Sequence, residues 1–254
     1  MEFRIKPGLH FCVVEGRTIF LDEDASRYFC IPDDVDRAFQ LVISAEGKPD
    51  DGADDTLIAD LIALEILEGE HALEGGIDRS PPMIVPTDDL GPPYVYAPPA
   101  FEIAAAFYER LRSNRITVRR GVADVRRLIE RERLRFRREH SYPLSTSHLA
   151  VSAAFEVSDF VFGRNDRCLP RAIAMIRRYL RVGYDPSLVI GVRINPFTAH
   201  CWVQQGSTVF GESIDIARYA SDSRRSGAEG RDVRLSAAPR GAAYGRAGYR
   251  HRPD

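Results

Sequence analysis

The chain has little cysteine: Cys12, Cys30, Cys168 and Cys201 are scattered over 254 residues with no C-x-x-C pair. That scarcity excludes a disulfide framework and a cysteine-based zinc site, and predicts free thiols. Long apolar runs are absent too. None approaches the roughly 18 residues that a membrane span needs, and the opening MEFRIKPG lacks the basic-then-apolar pattern of a secretory signal. A cytoplasmic protein is expected. No residue pattern points to a metal or a cofactor, and none is expected.

Neither sign of charge dominates overall, since 35 Lys+Arg against 37 Asp+Glu leave a formal net charge of -2. That near-balance conceals a division. Residues 1–99 hold 21 acids against 7 bases, net -14, whereas residues 100–254 hold 16 acids against 28 bases, net +12. At about 100–200 residues per domain, this predicts two compact modules and argues against one large barrel.

In the acidic part, Leu9 to Val14, Thr18 to Leu21 and Tyr28 to Ile31 are rich in aromatic and β-branched residues and read as three short strands. Asp33 and Asp34 after Pro32 predict a helix over 34–46, because acids are favoured in a first turn. The spacing of Leu57, Ile58, Leu61, Ile62, Leu64, Ile66 and Leu67 predicts a second helix over 56–68. Four prolines between Leu90 and Pro99 predict a stiff linker over 87–100. Beyond it, helices are expected over 101–112, 118–140 and 147–155. Asn165 or Asp166 can cap a further helix that Pro170 helps to start and Gly183 ends. Strands follow at 188–194, 199–204 and 208–210, with Gln205-Gly206 as a hairpin turn. Residues 220–254, with Val233 and Leu235 as their only large aliphatics, are expected to form a disordered tail.

The chemistry is concentrated late in the chain. A cysteine in the first turn of a helix lies at the positive end of the dipole, which favours the thiolate that a nucleophile needs. Cys168 holds that position. His200, entering the second of the late strands, can form a Cys-His pair with it, and a carboxylate on the next strand can orient the imidazole. Glu212 and Asp215 are the available acids. Cys201 is expected to be core filling, because neighbouring strand residues point to opposite faces and so should not share a site. Cys12 and Cys30 are expected to be structural.

Asp166-Arg167-Cys168-Leu169-Pro170-Arg171-Ala172, Leu188 to Arg193, and Asn195-Pro-Phe-Thr-Ala-His200-Cys-Trp202-Val closely resemble the transglutaminase-like cysteine peptidase of lasso peptide biosynthesis, the B protein family. The resemblance covers roughly residues 100–216, and the first 85 residues resemble a PqqD-like peptide-recognition element. It implies an α+β chain: a winged-helix-like, three-stranded recognition module over 1–86, the linker, a papain-type peptidase domain over 101–219, and the tail. It also implies that Cys168 is the nucleophile and His200 the base. Where the family has an aspartate, twelve residues after the histidine, this chain has Glu212, with Asp215 as the alternative. The implied substrate is a ribosomal precursor peptide, whose leader is removed, and the implied partner is an asparagine-synthetase-like, ATP-dependent cyclase.

A sheet with an unpaired edge can accept an extended peptide as an added strand. The resemblance puts that groove at Tyr28, Phe29, Cys30, Ile31, Leu61, Ile62 and Glu65. Two other functions compete. A transglutaminase-like amidase or acyltransferase would use the same residues on another substrate, since fold and triad do not set the acyl donor. A winged-helix nucleic-acid binder would use Arg119, Arg120, Arg126, Arg127, Arg131, Arg133, Arg135, Arg137 and Arg138 as its phosphate face. Interrupting acids at Asp124, Glu130, Glu132 and Glu139 and the acidic first module argue against the last. Neither a nucleic-acid nor a membrane partner is expected.

Overall fold

The computed structural model describes residues 3–45, 47, 54–69, 86–90, 97–139, 148–163, 167–213 and 233–235. Its first part begins with β1 (Phe3–Ile5) and continues into a three-stranded antiparallel sheet, β2 (Leu9–Val14), β3 (Arg17–Asp22) and β4 (Arg27–Phe29), in that order. The register pairs Phe11 with Phe20 and Phe20 with Phe29, so three phenylalanines share one face. Phe20 and Phe29 stack with centroids 5.1 Å apart, and Phe39 meets Phe20 edge-on at 4.9 Å. That face is covered by α1 (Asp33–Ser44) and α2 (Asp55–Ala63), whose Val35, Phe39, Val42, Ile58 and Leu61 complete a buried core.

Alternation turns His10, Cys12, Ile19, Leu21 and Tyr28 to the opposite face. In a lone half-buried sheet this side would meet water. Here Cys12, Val14 and Ile19 pack against Val192, and Leu21 joins a core built from the later helices. The three-stranded sheet therefore lies between its own helices and the second part of the molecule.

The second helix, expected to run to 68, stops at Ala63. Glu65 takes a left-handed φ of 55°, and β5 (Leu67–Gly69) then pairs antiparallel with β1. Burying Ile66 and Leu67 beside Phe3 outweighs the helical spacing that the same residues display.

Residues 88–90, inside the expected linker, form β6 (Asp88–Leu90), which lies parallel to β9 (Thr208–Phe210) at the edge of the main sheet. Two aspartates in three residues are poor strand formers, but they suit an edge, where charge discourages further pairing. The main sheet has the order β10-β7-β8-β9-β6, with β7 (Ser187–Arg193), β8 (Thr198–Gln205) and β10 (Val233–Leu235). β10 falls within the expected disordered tail and pairs antiparallel with β7; the rest of 214–254 lies outside the described residues. Gln205 pairs with Thr208, so the hairpin turns at Gly206-Ser207, one residue later than expected.

Four helices pack around this sheet: α3 (Ala100–Arg119), α4 (Val122–Glu139), α5 (His148–Phe162) and α6 (Cys168–Arg181). The break expected at 113–117 falls at Arg120-Gly121, because buried Ser113 and Thr117 stay helical, with the Thr117 hydroxyl donating to the Ser113 carbonyl at 3.1 Å. α6 lays Ile173, Met175, Ile176 and Tyr179 on Leu188, Ile190, Cys201, Val203 and Phe210. Its other side is charged: Arg177 is fully buried and binds Glu109 and Glu132 at 2.7 Å each. Among the described residues, no helix is long and apolar enough to cross a membrane.

Candidate active site

Cys168 is the first residue of α6. Arg167 stands at the N-cap without a side-chain cap bond, while Asn165 and Asp166 lie outside the described residues. Pro170 is third in the helix, where its missing N–H removes no intrahelical bond. The apolar face of α6 seats the helix on the sheet and brings the half-buried Cys168 thiol against β8.

Two β8 side chains hydrogen-bond to that sulfur. The thiol is lowered to about 4, with the Cys201 side chain as the largest cause. Burial opposes the shift, while the His200 side chain, the Cys201 backbone and the His200 charge add to it. Cys201 is pushed the other way, first by the same bond to Cys168, then by burial and by the neighbouring sulfur. It therefore stays protonated and serves as the donor. This overturns the expectation that Cys201 and His200 cannot share a site. Alternation sets the direction of the Cα–Cβ bond, and does not limit the reach of an imidazole. Across from His200 in the ladder is Gly191, which puts no side chain beside the ring.

Glu212 follows β9 and is mostly buried, its Oε1 accepting from Arg171 Nη1 at 2.9 Å. Arg171 Nη2 also donates to the Gly211 carbonyl at 3.0 Å, and Arg171 Nε to both oxygens of Asp159 at 3.0 Å. Arg110 lies 3.3 Å from the same aspartate and is lowered to about 10, chiefly by burial. Asp215 lies outside the described residues. Sequence reasoning passed over Arg171 and Asp159. The signal was an arginine on the apolar stripe of α6, three residues after Cys168 and beside Ala172, Met175 and Ile176.

The seven residues expected to hold a peptide are dispersed. Ile31 and Leu61 are buried in the module's own core, and Phe29 stacks on Phe20. Cys30, Ile62 and Glu65 are exposed, with Glu65 paired to Lys6. Tyr28 points the other way, toward the second part of the molecule, where it meets Phe197 in a T-shaped contact of 5.6 Å. Among the described strands, β4 pairs with β3 alone. Of the arginines in the basic run, Arg126 binds Glu23 and Glu130, Arg127 binds Asp124 and Arg133 binds Asp185. The side chains of Arg119, Arg137 and Arg138 lie outside the described residues.

A half-buried cysteine at a helix start, with a histidine on the adjoining strand, is an arrangement compatible with chemistry through an acyl-thiol intermediate. Residues 114–222 match the transglutaminase-like superfamily, which includes cysteine peptidases and acyltransferases. The chain thus carries a transglutaminase-like domain in a mixed α+β fold. No curated protein and no solved structure matches it.

Proposed function

We propose that the protein is a leader peptidase of lasso peptide biosynthesis, with a Cys168-His200-Glu212 triad and an N-terminal PqqD-like module that binds the leader by strand addition. The observation carrying this reading is the Cys168 sulfur at the start of α6, bonded to His200 and Cys201. The edge of β4 that pairs with no described strand supports the binding half, since backbone pairing there would hold an extended peptide beside the second part of the molecule.

In this mechanism the Cys168 thiolate attacks the scissile carbonyl, and the electron pair of the C=O moves to oxygen. As the carbonyl reforms, the C–N bond breaks and the imidazolium of His200 protonates the leaving amine, which becomes the new N-terminus of the core peptide. The leader remains as a thioester. Water, deprotonated by His200, attacks that carbonyl; the C–S bond breaks and the leader departs with a carboxylate. Glu212, held by Arg171, orients the imidazole. The liberated amine suits ring closure by an ATP-dependent, asparagine-synthetase-like cyclase acting next, in the cytoplasm.

The test is mass spectrometry of a precursor peptide incubated with wild type and Cys168→Ala. Wild type should release intact leader and core, and Cys168→Ala should bind the precursor without cutting it. Cleavage at the wild-type rate by Cys168→Ala would end the proposal. The superfamily match also favours a second reading, an amidase or acyltransferase. It would be preferred if an added amine, rather than water, took the acyl group.

A further inference from the structure

The face of the three-stranded sheet that turns away from its own helices ends at Tyr28. The register aligns His10, Leu21 and Tyr28 across the three strands, and Leu21 and Tyr28 both pack on the core that holds Cys168 and Cys201. Burial, and then the sulfurs of Cys201, Cys168 and Cys12, push the Tyr28 phenol well up, so it stays protonated. The ring leans edge-on, at 61°, against Phe197, in the connection between β7 and β8 three residues before His200. Phe197 keeps 51% of its surface exposed. An aromatic pair, one ring from each part of the molecule, thus borders the core against which Cys168 also packs, with half of one ring exposed.

We propose that Tyr28 and Phe197 form a wall of the catalytic cleft, so that the acidic module completes the active site and a peptide paired with β4 has its scissile bond positioned at Cys168. The positional role rests on the leader-peptidase reading; the wall itself does not. Alternation gives β4 two duties: Phe29 anchors the strand in the module's own core, while the neighbouring Tyr28 packs on the core that Cys168 also borders. A strand added to β4 would run alongside that pair, and its register would set which peptide bond reaches the sulfur. Tyr28 is in this sense a positioning residue.

The experiment uses the full chain and the variants Tyr28→Ala, Tyr28→Phe and Phe197→Ala, each checked for folding by circular dichroism. The first readout is the rate at which iodoacetamide alkylates Cys168, followed by peptide mass spectrometry, which requires no substrate. Opening the wall in Tyr28→Ala should raise that rate roughly threefold or more, since reactivity follows thiolate access. The second is precursor cleavage. Tyr28→Ala and Phe197→Ala should each lower kcat by about tenfold or more with little change in KM, as expected when a bound substrate is misplaced. Tyr28→Phe should recover most of the turnover. Unchanged alkylation in both alanine variants would overturn the wall. Should wild type not cut the precursor, the peptidase reading fails, while the alkylation result still decides the wall. Should Tyr28→Ala fail to fold, Phe197→Ala, on an exposed connection, carries the same decision.

Discussion

Arg171 binds Glu212 across the gap between α6 and the end of β9, with Nη1 to Oε1 at 2.9 Å, while its Nη2 holds the neighbouring Gly211 carbonyl. Arg171 lies one turn along the helix from Cys168, and Glu212 lies twelve residues beyond His200. One buried guanidinium thereby ties the helix that begins at Cys168 to Glu212, the acid of the proposed triad.

Glu212→Gln should therefore cut turnover at least about tenfold, less than the ~10⁴ loss known for serine triads, because the Cys168 thiolate is already favoured. Glu212→Asp should keep most activity. Arg171→Met leaves Asp159 and Glu212 without their shared cation and should cost about 3–5 kcal/mol, read as a fall in the denaturation midpoint. If Asp215→Asn, rather than Glu212→Gln, stops turnover, the orienting acid has been misassigned.

The thiol lowered to about 4 gives a direct pH signature. Only the thiolate alkylates, so the rate at Cys168 should be flat from about pH 5 upward, whereas an ordinary cysteine climbs through about 8.5. His200→Ala should move the Cys168 curve upward. A Cys168 rate that climbs through about 8.5 instead would mean that the bonds to Cys201 and His200 do not form in solution.

Glu23 joins the two parts of the molecule. Its side chain is 1% exposed and accepts from His10 Nε2 at 2.6 Å and Arg126 Nε at 3.0 Å. Burial alone would raise its carboxyl, but the His10 bond and the charges of His10 and Arg126 hold it below 4.5. A depressed carboxyl contributes stability that is present above the unfolded value and lost as pH falls through the folded one. Glu23→Gln should cost about 1–3 kcal/mol near neutral pH. The gap in Tm between wild type and variant should shrink below about pH 4; a gap that persists there would exclude an ionic origin.

Gly211 has a φ of 65°, and an added Cβ would stand 2.6 Å from Met175 Cε. Gly211→Ala combines left-handed strain of about 1–2 kcal/mol with that contact, although the flexible methionine can yield. The variant should lower Tm by several degrees and displace the Arg171–Glu212 pair, reducing kcat. Full activity at an unchanged Tm would show that this turn tolerates a side chain.

Much of this was legible from local pattern. The start of α6 at Cys168, the strand carrying His200 and the three strands of the acidic module follow from periodicity, a helix-compatible proline and turn residues, which act within a few positions of one another. Three-residue elements such as β1, β5, β6 and β10 were not legible, because each is a strand only through its partner: Asp88–Leu90 has a partner in β9 and no propensity of its own. The second face of the sheet was hidden for a related reason. Alternation assigns Cys12, Ile19, Leu21 and Tyr28 to one side, but only tertiary packing decides whether that side meets water or Val192 and Val125. Only packing likewise brought Arg171 to Asp159 and Glu212, and Cys201 to Cys168. A sequence determines which side of a helix or strand a residue occupies; what stands opposite it is set by contacts between segments dozens of residues apart, which periodicity does not encode.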